Sequence, residues 1–189
     1  MKEVYVVSAL RTAVGSLGRS LKNITGDELG SNVITGLLSF SKIEKSSVDE
    51  VIMGQVLTGG TGQNPARQAA IRSGIPKEKP AFVVNQVCGS GIRSVASGFQ
   101  SIKAGDNKIV ISGGQESMSL APHAIFLREG KKLGDAEIID TMIKDGLWDA
   151  FHGYHMGITA ENVAEKFQVT REEQDKFALK SQEKAIKAQ

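Results

Sequence analysis

The sequence holds only one cysteine in 189 residues, so no disulfide bond can form within the chain. This excludes the disulfide-rich secreted class, suits a reducing compartment and leaves one free thiol to explain. Tryptophan also occurs once and aromatic residues make up 5% of the chain, whereas apolar residues make up 40%. A chain of this length and composition can bury a substantial core, as one domain or as one domain and part of another.

Long apolar runs and a strong charge of either sign are missing too. No stretch is long enough to cross a bilayer, and the first residues lack the apolar core and cleavage site of a signal peptide, so we expect a cytoplasmic protein without membrane contact. The chain has 23 basic and 21 acidic residues, for a net charge of +2. Without a basic stripe, nucleic acid is not an expected partner, whereas a few cationic side chains could meet the phosphates of a small ligand.

The single cysteine, Cys88, lies on a sharp turn between a predicted strand and a predicted helix. Residues 81–84 are apolar and partly β-branched, the profile of a buried strand. After the turn, apolar residues recur at helical spacing from Ile92 to Ile102, and Gly105 is placed to end that helix. Unpaired N–H groups and the dipole at a helix N-terminus favour the thiolate form of a cysteine, which is the nucleophilic form.

Glycines on both sides of Ser90 give this turn a second property. Gly89 and Gly91 leave room for a carbonyl carbon to approach the sulfur, and the backbone amides there could bind the oxyanion that forms. Cys88 is therefore a candidate nucleophile. Free cysteine is also commonly a buried small apolar side chain, and the local pattern leaves both interpretations open.

Short apolar strands alternate with helices up to about residue 119. The predicted strands are residues 4–7, 51–53, 81–84 and 108–112. Helices are predicted to begin at Thr25, which has a glutamate three residues later, and at Asn64, which precedes a proline. Crossover connections of this kind imply an α/β fold with a mainly parallel sheet and helices on both faces, whose ligands bind beyond the carboxyl ends of the strands.

Beyond about Leu120 this alternation stops. A charged, loop-rich segment is followed by a short helix predicted to begin at Asp135, and a last amphipathic helix is predicted after Thr170. His152 and His155 lie between them. Their three-residue step comes without a cysteine or a carboxylate cluster, so packing or ligand contact is a better interpretation than a metal site.

Four segments, taken in order, resemble the motifs of the thiolase family. The segment around Cys88 is similar to the motif of the acyl-enzyme cysteine, and the likeness runs along all 189 residues. The four segments are Gly62-Gln63-Asn64-Pro65-Ala66-Arg67-Gln68, Asn85-Gln86-Val87-Cys88-Gly89-Ser90-Gly91, Gly113-Gly114-Gln115-Glu116-Ser117-Met118-Ser119 and Tyr154-His155-Met156-Gly157-Ile158-Thr159-Ala160-Glu161-Asn162.

The resemblance implies a reaction and a set of site residues. Two acetyl-CoA molecules would condense reversibly to acetoacetyl-CoA and CoA, with Cys88 holding the acetyl group as a thioester. Leu147, His155 and Met156 would line the pantetheine channel for CoA, with a core position as the alternative for Leu147 and Met156. CoA thioesters would be the substrates, no further cofactor is implied, and complete subunits would form a homodimer or homotetramer.

The resemblance also divides the chain and points to what it lacks. Residues 1–119 correspond to an N-terminal thiolase core domain, and residues 120–189 to the beginning of the loop domain that binds CoA. Thiolases continue for about as many residues again, with a histidine and a second cysteine that act as bases. We therefore expect this chain to be an N-terminal half that is inactive alone, with a companion fragment or a larger parent protein.

Two other functions stay open. A ketoacyl-synthase-type condensing enzyme uses a similar cysteine with carrier-bound acyl groups, but the segments at 113–119 and 155–162 argue against it. A non-catalytic CoA-binding or assembly subunit would need only the fold and a complementary surface. The presence of Cys88 with its flanking glycines weighs against that second alternative.

Overall fold

The computed structural model describes residues 3–188, in which helices and strands alternate between residues 26 and 114. Helices α1 to α5 span Gly26–Ser41, Pro65–Arg72, Ser90–Ala104, Met156–Phe167 and Arg171–Ala188. Strands β1 to β5 span Glu50–Gly54, Ala81–Val84, Val110–Gly114, His123–Ala124 and Ile139–Asp140. Short 3-10 helices lie at Lys45–Ser47 and Met118–Leu120, and a π-helix at Met142–Leu147.

Strand β1 is the centre of a three-stranded parallel sheet in the order β2-β1-β3. Its last residue, Gly54, pairs with Val84 on one side and with Gly114 on the other. Because all three strands run in the same direction, their carboxyl ends meet at one edge of the sheet. The loop that carries Cys88 leaves the sheet at this edge, directly after β2.

Alternate residues of the sheet face different helices. Val51 and Met53 of β1 pack with residues of α1 and α2 in one apolar core. The buried members of this core are Ile34, Leu38, Val48, Val51, Met53, Ala66, Ala69, Ala70, Ile75 and Ile111. On the opposite face, a Cβ atom added to Gly98 of α3 would lie 2.5 Å from Ser112 Oγ of β3. Helices therefore cover both faces of the parallel sheet, as predicted.

Helix α3 contacts the sheet through small residues instead of apolar ones. Ser90, Ser94 and Gly98 are buried, whereas Ile92 and Phe99 are 80% and 47% exposed. The spacing of apolar residues therefore predicted the position of this helix correctly. It did not predict which face of the helix packs on the sheet. Small side chains decide that face because they let the helix backbone approach the strands closely.

The strand predicted at residues 4–7 is wrong. This segment forms no strand, and Tyr5, Val6 and Val7 are 72%, 83% and 69% exposed. Its β-branched residues have strand propensity, but a strand also needs a hydrogen-bonded neighbour, which it does not have within residues 3–188. Residues 4–12 instead line a cavity of about 580 Å³ together with parts of α1, α3 and β3.

Two further predictions need correction. The helix expected from Asp135 begins as a π-helix at Met142, because the Asp140 carboxylate accepts hydrogen bonds from the N–H groups of Met142 and Ile143, at 2.9 and 3.3 Å. Strand β2 is less buried than its apolar sequence predicts. It lies at the edge of the sheet, where Phe82 is 40% exposed.

By its internal contacts the chain forms two compact units. The first ends at Gly146, and the second begins at Leu147. The apolar core described above lies in the first unit. The second unit contains α4 and α5, and the structure shows no buried residue in either helix. The division into a core domain, residues 1–119, and a CoA-binding domain, residues 120–189, stays a prediction. Between residues 3 and 188, no helix is both long and apolar enough to cross a membrane.

Candidate active site

Cys88 lies immediately before the N-terminus of α3, as the sequence predicts. The helix begins at Ser90, with Gly89 as its N-cap residue. The cysteine is exposed, so the alternative interpretation as a buried apolar thiol is wrong. Its sulfur has no hydrogen-bond partner in the part of the chain that the structure describes.

The residue before the cysteine has a strained backbone. Val87 has a φ of 48°, in the left-handed region. For a β-branched residue this conformation is rare, and it costs on the order of 1–3 kcal/mol. The turn is closed by the Gly89 N–H, which donates to the Gln86 carbonyl at 3.0 Å, and by the Ser90 N–H, which donates to the Val87 carbonyl at 3.1 Å.

Ser90 holds this turn from the helix side. Its side chain is buried, and the residue is only 4% exposed. The Ser90 hydroxyl accepts from the Gln86 N–H at 2.9 Å and donates to the Val87 carbonyl at 2.6 Å. This role of Ser90 was not predicted from the sequence. The signal is a hydroxyl residue in the first turn of the helix, where serine side chains commonly bond to the backbone.

Asn85 holds the same turn from the strand side. Its Oδ1 accepts a hydrogen bond from the Val87 N–H at 2.9 Å, the arrangement of an Asx turn. Its Nδ2 donates a long hydrogen bond of 3.5 Å to the carbonyl of Val56, which lies just after β1. The strained residue is thus tied to two neighbouring strand ends.

Gly54, the last residue of β1, lets the start of α3 lie against the sheet. A Cβ atom at this position would lie 2.4 Å from the Ser90 carbonyl carbon and 2.6 Å from the Gly91 nitrogen. Both are backbone atoms, so any side chain here would displace the helix start. This role of Gly54 was not predicted from the sequence. Its signal is a glycine at the carboxyl end of the strand beside the cysteine turn.

Glu116, which follows β3 closely, anchors the loop after β1. Its carboxylate accepts hydrogen bonds from the N–H groups of Val56 at 2.8 Å and Leu57 at 3.3 Å. Partial burial raises the pKa of Glu116 above its usual value, although the two amide bonds act in the opposite direction. Beside it, the Gln115 Nε2 donates to the Gln55 Oε1 at 2.9 Å. These contacts join the ends of β1 and β3.

A cavity of about 360 Å³ opens at the same edge of the sheet. It is lined by Gln55, Thr58, Gly62, Asn64, Pro65, Val83 and Asn85. Asn64 caps α2 as predicted, since its Oδ1 accepts from the Arg67 N–H at 3.0 Å. The segments at 62–68 and 85–91, which the sequence analysis identified as thiolase-like motifs, therefore both contribute residues to the lining of this cavity.

The three residues predicted to line the CoA channel lie at the beginning of the second unit. Leu147 and Met156 are half-buried, at the end of the π-helix and the start of α4 respectively. His155 is the exposed N-cap of α4, and its Nδ1 accepts from the Gly157 N–H at 3.0 Å. A neutral His155 ring therefore carries its proton on Nε2, which can donate to a ligand. The role of these residues in binding CoA stays a prediction.

The neighbouring His152 is engaged in a local turn. Its Nδ1 lies 3.1 Å from the Asp149 Oδ1, and its ring stacks on Tyr154 at a centroid distance of 5.6 Å. Hydrogen bonds from the backbone N–H groups of His152 and Phe151 lower the pKa of the Asp149 carboxyl. No group of three or more His, Cys, Asp or Glu side chains between residues 3 and 188 is arranged to hold a metal ion.

Comparison with known proteins identifies the family. Residues 4–189 match the family model described as "Thiolase, N-terminal domain". The chain belongs to the thiolase family. This thiolase chain is 59% identical to the acetyl-CoA acetyltransferase of Rhizobium meliloti (strain 1021), over 98% of its own length and 47% of the relative's. It is 56% identical to the acetyl-CoA acetyltransferase of Paracoccus denitrificans, over 100% of its length and 48% of the relative's.

A solved structure of a relative has a similar fold. The crystal structure of the Bacillus anthracis acetyl-CoA acetyltransferase matches 97% of this thiolase chain with a TM-score of 0.91 and 37% sequence identity. It confirms the predicted thiolase-like α/β fold. The match covers 46% of the Bacillus chain. This thiolase chain thus spans about half the length of the relatives that it matches.

Proposed function

We propose that this thiolase chain supplies the N-terminal half of an acetyl-CoA C-acetyltransferase, with Cys88 as its nucleophile. The observation that carries the proposal is the exposed Cys88 just before α3, on the loop that follows β2 at the edge where the carboxyl ends of three parallel strands meet. Ligands of open α/β sheets bind at such edges. Whole-length coverage of this chain by proteins named acetyl-CoA acetyltransferase supports the substrate class.

In the first proposed step, the Cys88 thiolate attacks the carbonyl carbon of acetyl-CoA. The new sulfur–carbon bond gives a tetrahedral oxyanion, for which the backbone N–H of Cys88 is the proposed donor within this chain. Collapse of the oxyanion breaks the bond to the CoA sulfur. CoA leaves as a thiolate that takes up a proton, and Cys88 keeps the acetyl group as a thioester.

In the second step, a base removes a proton from the methyl group of a second acetyl-CoA. The resulting carbanion attacks the carbonyl carbon of the acetyl-cysteine, a carbon–carbon bond forms, and the Cys88 sulfur leaves as a thiolate. The products are acetoacetyl-CoA and the regenerated nucleophile. The acetyl group is bound to sulfur, first in acetyl-CoA and then on Cys88, until it is transferred to carbon, so the proposed reaction uses CoA thioesters as substrates and needs no cofactor.

The two bases of this reaction are proposed to come from sequence outside these 189 residues. The Cys88 sulfur has no hydrogen-bond partner among the described residues, and the chain spans 47% of the Rhizobium relative's length. Loss of members of a cooperating catalytic set costs orders of magnitude in rate. The isolated chain is therefore expected to be inactive.

Leu147, His155 and Met156 are the proposed CoA contacts. A half-buried leucine and methionine can provide a flexible apolar wall for pantetheine, and the Nε2–H of His155 can donate to an amide carbonyl or the thioester oxygen. We further propose that the complete protein is a cytoplasmic homodimer or homotetramer. Exposed apolar residues such as Ile92 and Phe177 are available for burial in such an assembly.

Complementation tests this proposal. The chain is mixed with a polypeptide covering the remaining half of the Rhizobium acetyl-CoA acetyltransferase, and CoA-dependent cleavage of acetoacetyl-CoA is measured. Turnover is expected from the mixture, but neither from the chain alone nor from a mixture with Cys88→Ser. Full turnover by the chain alone would refute the need for the second half. A stable complex without turnover would favour a non-catalytic subunit, and activity only with carrier-bound acyl groups would favour a ketoacyl-synthase-type enzyme.

A further inference from the structure

The conformation of Val87 has to be held by its surroundings. A φ of 48° is unfavourable for valine, and this residue lies directly before Cys88. Val87 is itself 50% exposed, so packing around its side chain cannot impose the conformation alone. The groups that can impose it are those hydrogen-bonded to its backbone, namely Asn85 at the N–H and Ser90 at the carbonyl.

Of these two groups, Asn85 is the better placed to hold Val87 in this conformation. The Asn85 Oδ1 fixes the Val87 N–H at 2.9 Å, while its Nδ2 reaches the Val56 carbonyl at 3.5 Å. The N–H of that same Val56 donates to the Glu116 carboxylate at 2.8 Å. The peptide groups on both sides of Val56 are thus tied to neighbouring strand ends, which gives Asn85 a fixed point on the sheet.

We propose that Asn85 is a positioning residue for Cys88. Its side-chain amide holds Val87 in the left-handed conformation and so sets the backbone of Cys88 at the start of α3. Without this amide, Val87 relaxes toward negative φ. Cys88 is the next residue, so the directions of its N–H and of its side chain then change relative to the start of α3. The inference rests on the proposed role of Cys88 as the nucleophile.

The proposed role is separable from folding. Asn85 is exposed and belongs to a loop, not to the apolar core. Replacing it should therefore leave the sheet and its helices intact. Glycine adopts positive φ without a steric cost, so a glycine at position 87 should no longer need the hydrogen bond to Asn85.

The rate of Cys88 alkylation by iodoacetamide measures the placement of this sulfur, because it is the only thiol in the chain. Asn85→Ala is expected to slow alkylation roughly five- to tenfold, the effect of losing about one hydrogen bond. Asn85→Asp keeps an oxygen for the Val87 N–H but loses the donor to the Val56 carbonyl, so its rate should fall between those of the original chain and of Asn85→Ala. Asn85→Ala combined with Val87→Gly should recover most of the loss. Circular dichroism and urea unfolding check that each variant is folded.

Two results would overturn the proposal. One is an Asn85→Ala variant that reacts at the original rate. The other is a folded but slow Asn85→Ala variant whose rate Val87→Gly does not restore. The Asn85 side chain would then affect Cys88 by some means other than the conformation of Val87. Acetylation of Cys88 by acetyl-CoA, measured separately with the complementing half present, tests the nucleophile itself. Alkylation that depends on Asn85 without any acetylation would refute the proposed function and leave the positioning role intact.

Discussion

Helices α1 and α5 begin with the same hydrogen-bond pattern but differ in their packing. The Thr25 N–H donates to Glu28 at 2.9 Å, and the Thr170 N–H donates to Glu173 at 2.9 Å. Each threonine hydroxyl accepts in return from the N–H of its glutamate. α1 contributes Ile34 and Leu38 to the core, whereas the structure shows no buried residue in α5. A capping box therefore sets where a helix begins, but does not determine what it packs against.

The proposed functional residues also differ in whether other parts of the chain hold them in place. Cys88 follows a turn that is braced by Asn85, by Ser90 and by the close approach of Gly54. His155, by contrast, is ordered by a local hydrogen bond within its own helix start. We therefore expect the geometry of the nucleophile to depend on sheet packing, whereas the proposed CoA residues should tolerate substitution without loss of the fold.

Gly54→Ala should have the largest effect on the first unit. Its methyl group would lie 2.4 Å from the Ser90 carbonyl carbon, so the start of α3 must move. A destabilisation of about 1–3 kcal/mol is expected from overpacking of this kind, together with slower alkylation of Cys88. Gly59→Ala is the matched control, because its nearest neighbour is the Pro122 side chain at an ordinary 3.8 Å. Equal unfolding midpoints for the two variants would contradict the close approach of α3.

The two capping boxes allow the same substitution in both environments. Thr25→Ala should lower the free energy of unfolding by about 1 kcal/mol, because α1 is part of the cooperative core. Thr170→Ala should reduce helix content but change the main urea transition by less than about 0.5 kcal/mol, the range of surface substitutions. Far-UV circular dichroism during a urea titration measures both effects. A larger shift of the main transition for Thr170→Ala would mean that α5 unfolds together with the core.

The smallest expected effect concerns the pH dependence of stability. Burial raises the pKa of Glu116 above its usual value of 4.5, so the folded chain holds this proton more tightly than the unfolded chain. Between 4.5 and the raised pKa, Glu116 therefore makes stability fall as pH rises. Glu116→Gln should lack this component. Urea unfolding from pH 4 to 8 measures the difference between the two proteins, and a difference that grew with pH in favour of the carboxylate would show that the sign is wrong.

Much of the fold could be predicted because it depends on local patterns. The capping box at Thr25, the Asn64-Pro65 helix start and the αL residue Gly105 lie where the sequence places them. The strand predicted at residues 4–7 failed for a non-local reason, since strand propensity does not supply a neighbouring strand. The sequence also could not show which face of α3 packs, because Ser90 and Gly98 are buried for their small size and not for their apolar character.

The candidate site was also predictable only where it depends on local patterns. Cys88 was found from its position between a strand and a helix with flanking glycines. The roles of Gly54 and Glu116 depend on contacts with segments 36 and 60 residues away along the chain, at Ser90 and Val56 respectively. A local pattern can mark such a residue, as the glycine at the end of β1 does, but it does not show which distant segment the residue contacts. Two side chains next to Cys88 did carry local signals that were not used: the Asn85–Val87 spacing is typical of an Asx turn, and Ser90 is a hydroxyl residue in the first turn of α3.

Intact-mass spectrometry after incubation with acetyl-CoA tests most directly whether Cys88 is an acyl-carrying nucleophile. With the complementing half of the Rhizobium relative present, we expect this chain to gain one acetyl group. Peptide mapping should locate it on Cys88, and Cys88→Ser should remain unmodified. An unmodified chain within a stable complex, or an acetyl group on any residue other than Cys88, would contradict the proposed acyl transfer.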